Sequence, residues 1–161
     1  MLLQFYHHHL KMARLNSEIE KLLDTPEFVS GKWIRNTHNY DGELAKIVGP
    51  LLGWKRERAT CHDFVTTRGE KVEVKKFKNG NGWLAGSNVA KTPVGVIYMF
   101  VCYDKNNTVT KVHVSDIDMV LDYVAKDFPL ELLLNVSKYK VANCQIRVKC
   151  SDVESKVFSV K

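Results

Sequence analysis

The chain has 161 residues, 45% of them hydrophobic and 26% charged, with 24 Lys and Arg against 18 Asp and Glu. That length suits one domain with a proper core and that composition excludes a disordered chain, while no run approaches the roughly 18 apolar residues of a membrane span. The net charge of +6 favours a polyanionic partner without requiring one.

The opening Met1-Leu2-Leu3-Gln4-Phe5-Tyr6 has no basic leader and runs into His7-His8-His9, which reads poorly as a signal peptide; a cytoplasmic protein is expected. Three consecutive histidines diverge around a helix, so an ordinary surface turn or an expression remnant is favoured there over a metal cluster. Leu10, Ala13, Leu15, Ile19, Leu22 and Leu23 keep helical spacing, with Ser17 and Glu20 as a capping box that restarts the helix, and Thr25-Pro26 ends it. Residues 1–24 are thus a helical segment for dimerisation or for packing on the remaining domain. A second helix is expected from Asp41 as N-cap, with Leu44, Ile47, Val48 and Leu51 on one face and Gly49-Pro50 ending or distorting it. Lys55, Arg56 and Arg58 then form a basic turn.

Two strand-like runs follow, His62 to Thr67 and Lys71 to Phe77, joined across Arg68-Gly69-Glu70. The stretch from Lys78 to about Thr92 reads as a Gly/Asn-rich loop, with Trp83 more naturally anchored to the core than stacked on a ligand. Val94 to Tyr103 is nearly all apolar, the mark of a central strand covered on both faces. Asp104 to Asn107 supplies a turn, and Lys111 to Val114 alternates as a strand. Ser115 caps a helix with Ile117, Val120, Leu121 and Val124 buried, and the tail from Lys138 is mostly strand. This order gives an α/β or α+β fold, a sheet under helical cover, in a single domain spanning 1–161. Cys61, Cys102, Cys144 and Cys150 contain no CxxC pair, so they are expected to be reduced, half-buried small residues rather than a zinc site or a disulfide framework.

The segment with chemistry is Asp63 to Lys75. Glu73 and Lys75 are two apart in a strand and share a face. If the hairpin loop is the three residues Thr67 to Gly69, Asp63 lies across from Glu73 on that face; a two-residue loop breaks the alignment. Adjacent carboxylates repel unless a cation joins them, and Mg2+ does so while leaving positions for water and phosphate oxygens. Lys75 is placed to orient an attacking water or to stabilise charge on a phosphate. The competing reading is a solvated hairpin face. Cys61 with His62 does not make a thiol–imidazole pair, because adjacent strand residues face opposite ways; His62 and His113 suit structural or DNA-facing roles.

Asp63, followed by Glu73-Val74-Lys75 on the next strand, resembles the PD-(D/E)XK nuclease superfamily, and over roughly residues 41 to 125 the order of elements is similar to the small homodimeric PvuII-type restriction endonucleases. His62 stands where the motif's name places proline. The resemblance implies a restriction-endonuclease-like mixed central sheet flanked by helices. It also implies Asp63 and Glu73 as metal ligands, the Val74 carbonyl as an extra ligand, Lys75 as the catalytic lysine and Mg2+ as cofactor, with Mn2+ able to substitute. Glu43, on the helix ahead of the two strands, matches the upstream glutamate of many members; otherwise it is a first-turn carboxylate favoured by the helix dipole.

Lys76, Lys78, Asn79, Asn81, Ser87, Asn88 and Lys91 are candidate DNA contacts, since amides and lysines on a glycine-bearing loop suit phosphates and base edges. The expected function is site-specific cleavage of double-stranded DNA by a homodimer with one site per strand. Two alternatives stand beside it: a structure-specific nuclease such as a Holliday junction resolvase, and a non-catalytic DNA-binding protein.

Overall fold

The computed structural model describes residues 2–59, 61–126 and 145–161, and of residues 2 and 4–12 the backbone only. It is a mixed α/β structure, in agreement with the expected fold class. The N-terminal periodicity forms one continuous helix, α1 (Leu2–Leu23), so Ser17 lies mid-helix and no capping box restarts it. Leu15, Ile19, Leu22 and Leu23 are buried against the chain's own core, which puts the C-terminal half of α1 on this domain. As expected, Thr25-Pro26 closes the helix, and Pro26 opens the short α2 (Pro26–Val29). A 3-10 turn, Lys32–Arg35, leads to α3 (Tyr40–Leu52), whose N-cap is Asn39 rather than Asp41. Pro50 does not end α3. The helix continues to Leu52, and Gly53, in the left-handed region at φ 73°, closes it by donating its N–H to Gly49 O.

Among the described residues eight strands form one sheet: β1 (Lys55–Arg56), β2 (Phe64–Val65), β3 (Lys71–Lys78), β4 (Asn81–Ala85), β5 (Ile97–Tyr103), β6 (Val109–Asp116), β7 (Gln145–Lys149) and β8 (Lys156–Ser159). Their main order is β1-β2-β3-β5-β6-β8, with β3 and β5 parallel and every other pairing antiparallel. The basic turn at Lys55 and Arg56 is therefore an edge strand. The stretch expected to be a loop after Lys78 is instead a tight hairpin, β4 and the helix α4 (Gly86–Lys91). Asn79 and Gly80 both have positive φ (53° and 76°), the pair of conformations a two-residue hairpin turn with the right twist demands. Strand β4 leaves the main sheet to pair with β7.

Strand β5 is buried on both faces, as its apolar run implies, although it begins at Ile97 and Val94 is exposed. Alternation along β3, β5 and β6 divides the interior into two cores. Val72, Val74, Met99, Val101, Val112 and Val114 meet α1, α2 and α3 on one face. Phe77, Tyr98, Phe100 and Cys102 meet α5 (Ile117–Ala125), α4 and the β4–β7 ribbon on the other. The N-cap of α5 is Asp116, whose Oδ1 accepts the Met119 N–H at 3.0 Å; Ser115 belongs to β6 and its hydroxyl donates to Glu154 O. The expected tail strands are β7 and β8, and what the sequence suggests for 127–144, including Cys144, lies outside the described residues. Among the described residues no helix is long and apolar enough to cross a membrane.

Candidate active site

The hairpin between β2 and β3 pairs Phe64 with Val72 and Val65 with Lys71. Thr66 and Glu70 close it, Gly69 turns back at φ 88°, and the loop is the three residues Thr67 to Gly69. One step beyond the paired residues, this register sets Asp63 opposite Glu73. Because β2 ends there, the Val74 peptide has no strand partner on that side. The Asp63 carboxylate fills the gap: Oδ2 accepts the Val74 N–H at 2.9 Å, and the Asp63 N–H donates to Val72 O at 2.9 Å. On the same residue, the Val74 carbonyl accepts the Tyr40 hydroxyl at 3.3 Å.

Glu73 points to the α5 face, beside Tyr98 in the parallel register, and is only 8% exposed. Burial first, then hydrogen bonding to Asp63 and the charge of Asp63, push the Glu73 carboxyl up to about 9, against the opposing pull of Lys75. Its neighbours feel the same acid pair. Burial, helped by Glu73 and Asp63, pushes the Tyr98 hydroxyl up to about 12. Burial, followed by Asp63, Glu73 and Asp41, raises Tyr40 well above the ordinary phenol range. Two carboxyl groups thus meet at a spot where negative charge is costly, beside the backbone of Val74. Hard oxygen donors in that arrangement fit a divalent cation such as Mg2+.

Lys75 shares the Glu73 face and is half-buried, with no salt bridge engaging it among the described residues. Lys76 points the other way. Its ammonium lies 3.2 Å from Ile34 O and 4.6 Å from the centre of the Tyr40 ring, so this candidate DNA contact is tied into the fold from inside. Glu43 is likewise not brought to the site. It bonds Lys46 at 3.1 Å and lines a surface hollow with Glu27, Lys32 and Trp33.

The acidic group of α3 that acts on the site is Asp41, whose charge raises both Glu73 and Tyr40. Arg56 holds it at 2.9 Å and also reaches Asn39 Oδ1 at 3.3 Å. Sequence reasoning missed Tyr40, Tyr98 and Asp41 as neighbours of the site. Tyr98 alone had a signal, as a hydroxyl in the middle of a largely apolar run. Its hydroxyl lies 3.3 Å from Thr92 Oγ1, which in turn donates to Asn88 O at 2.6 Å, linking the floor of the site to α4.

Of the remaining candidates, Lys78 and Asn79 are exposed at the β3–β4 turn, Asn81 starts β4, and Ser87, Asn88 and Lys91 ride on α4, with Asn88 and Lys91 exposed. Trp83 is 59% exposed, so it does not anchor a loop to the core; it stands across from Arg147 on the outer face of the β4–β7 ribbon. His62 is buried, its Nε2 3.3 Å from Glu57 Oε1 without hydrogen-bond geometry. No protein-family model and no curated protein sequence matches the chain.

Proposed function

We propose that this chain is a Mg2+-dependent DNA endonuclease that cuts double-stranded DNA at specific sites, acting as a cytoplasmic homodimer. The observation that carries the reading is the Asp63 carboxyl set against that of Glu73, with Asp63 Oδ2 accepting the Val74 N–H and Lys75 on the Glu73 face. Asp63, Glu73 and Val74 would hold the cation, which when bound polarises a scissile phosphate and acidifies a water. The Tyr40 hydroxyl fixes the direction of the Val74 carbonyl. Lys75 stabilises charge on the phosphate and orients the water. Lys78, Asn79, Asn81, Ser87, Asn88 and Lys91 form the DNA-facing surface, backed by a net positive charge that raises encounter rates with a polyanion.

Incubation of purified protein with plasmid and phage DNA, with Mg2+ or with EDTA, tests this directly. Discrete fragments with one common end sequence, seen only with Mg2+, are expected. Cleavage confined to synthetic four-way junctions would instead make it a structure-specific nuclease, and DNA binding without metal-dependent cleavage would make it a non-catalytic binder.

The two adjacent lysines give a sharper contrast. Lys75→Ala should lose cleavage by roughly 100-fold or more while keeping its unfolding midpoint. Lys76→Ala should cost about 1–2 kcal/mol of stability through the lost contacts with Ile34 and Tyr40, and retain cleavage at temperatures where it is folded. Urea unfolding and plasmid cleavage measured on both variants decide this; the reverse pattern would place Lys76, not Lys75, at the phosphate.

A further inference from the structure

On the same sheet face as Glu73, but past Phe100, lies a second polar group with no part in the site described above. Cys102 is on β5, His113 on β6, and Cys150 opens the 3-10 turn after β7. All three are essentially solvent-free, at 1%, 3% and 1% exposure. Their sulfurs and one imidazole nitrogen lie within 4.8 Å of one another. The two sulfurs are 3.8 Å apart. Zinc–sulfur bonds of about 2.3 Å at a tetrahedral angle put two thiolates about 3.8 Å apart, the same spacing.

The histidine adds an independent observation. Its Nδ1 is 2.9 Å from Ser155 Oγ, whereas its Nε2 is buried with no hydrogen-bond partner among the described residues. A buried imidazole nitrogen left unpaired is costly, and native interiors rarely leave one so. If Nδ1 carries the proton and donates to Ser155, Nε2 presents a lone pair, which is how an outer partner prepares a histidine to ligate a metal.

We infer that Cys102, Cys150 and His113 form a structural zinc site, with Ser155 orienting the imidazole. Two thiolates balance the charge of Zn2+, so the complex is neutral where burial would penalise a net charge. Soft thiolates with one imidazole select zinc over the hard cation that suits the carboxylates of Asp63 and Glu73. Among the described residues these three supply three of zinc's usual four donors.

The placement gives the ion a mechanical task. Among the described residues, the β4–β7 ribbon pairs with the main sheet only through Lys78 and Asn81. Cys150 stands at the end of β7, where its N–H also bonds Gly80 O at 2.9 Å. Joining Cys150 to β5 and β6 through a metal clamps the ribbon that carries Trp83, Arg147 and Lys149 onto the core.

The full chain, reduced and loaded with zinc and then passed over a desalting column, should retain one zinc per chain by mass spectrometry. Cobalt substituted for zinc should show a near-ultraviolet thiolate charge-transfer band and the intense visible bands of a tetrahedral ion. Both should vanish in Cys102→Ala/Cys150→Ala. Ser155→Ala, which removes no ligand, should weaken zinc affinity by roughly 10- to 100-fold. Three results overturn the site: no retained metal in reduced wild-type protein, metal that persists in the double variant (as binding at His7–His9 would), or a cobalt spectrum without thiolate bands. The cobalt spectrum needs only wild-type protein, so a variant that fails to fold leaves the test intact.

Discussion

Glu73→Gln should abolish cleavage and at the same time make the metal-free protein more stable. Both effects follow from one arrangement. As a carboxylate facing Asp63, Glu73 holds half of the negative charge that a divalent cation needs, and an amide cannot supply it. Loss of cleavage on the order of 1,000-fold or more is expected.

In the metal-free protein that same carboxyl is a burden. Its folded value, about 9, lies above the ordinary 4.5. Below 4.5 both folded and unfolded states hold the proton, and stability is complete. Between 4.5 and 9 the unfolded state releases its proton while the folded state retains it, so stability falls as pH rises, and above 9 the contribution is gone. Glutamine never titrates. The variant's advantage should therefore be near zero at pH 4.5 and grow to roughly 1–3 kcal/mol at pH 8, smaller than the full shift implies because water and side chains relax around the charge. Urea unfolding of both proteins in EDTA at a series of pH values checks this. Parallel curves would mean that Glu73 is ionised in the empty site; persistent cleavage by the variant would remove Glu73 from the metal.

On the proposed reading, Mg2+ binding displaces the proton on Glu73, so metal affinity of the wild type should rise with pH toward 9 and binding should release protons.

The site and the fold were legible to different depths. Two residues apart on one strand is a local relation, and the shared face of Glu73 and Lys75 follows from the pleat alone. Asp63 depended on the loop length, which the sequence leaves open; Gly69 with positive φ and the Thr66–Glu70 closure decide it. Tyr40 and Asp41 reach the site from a helix more than 20 residues earlier, across a distance that no periodicity reports. Glu43 was a reasonable choice of acidic residue on that helix, but two positions along an α-helix turn a side chain about 200° away, and the structure gives the approach to Asp41 instead.

The missed hairpin after Lys78 is a different kind of error. Asn79-Gly80 between two runs able to pair is a strong turn signal, but the glycines around it give the stretch the composition of a loop. The cysteines show the reverse limit. Cys102 and Cys150 are 48 residues apart, so the absence of a CxxC pair says nothing about the 3.8 Å between their sulfurs.

Arg68→Ala should be the most destabilising single change among the polar residues, at about 3 kcal/mol or more, although Arg68 sits in a hairpin loop. Its Nη2 meets the Glu18 carboxylate of α1, and its Nε bonds Glu70 Oε1 at 2.9 Å. Glu18 also accepts the Trp54 indole N–H at 2.7 Å, and Glu70 accepts the Thr66 hydroxyl at 2.6 Å. The side chains of Arg68, Glu18 and Glu70 are only 19%, 14% and 6% exposed. Truncating the arginine leaves two carboxylates without their shared cation in a place water reaches poorly, the situation in which a broken buried pair costs most.

Removing the acids as well should return much of that loss. Glu18→Gln/Arg68→Ala/Glu70→Gln is expected to be more stable than Arg68→Ala alone, a non-additivity that an exposed, solvent-screened pair would not show. The loop also sets the register that brings Asp63 to Glu73, so Arg68→Ala should lower cleavage well below the folding midpoint, whereas Arg35→Ala, at an exposed position on the 3-10 turn, should leave stability within about 0.5 kcal/mol. Equal urea midpoints for wild type and Arg68→Ala would show that α1 does not depend on this contact. In that case the hairpin is held by its backbone bonds and by Phe64, which is fully buried and packed against Trp54.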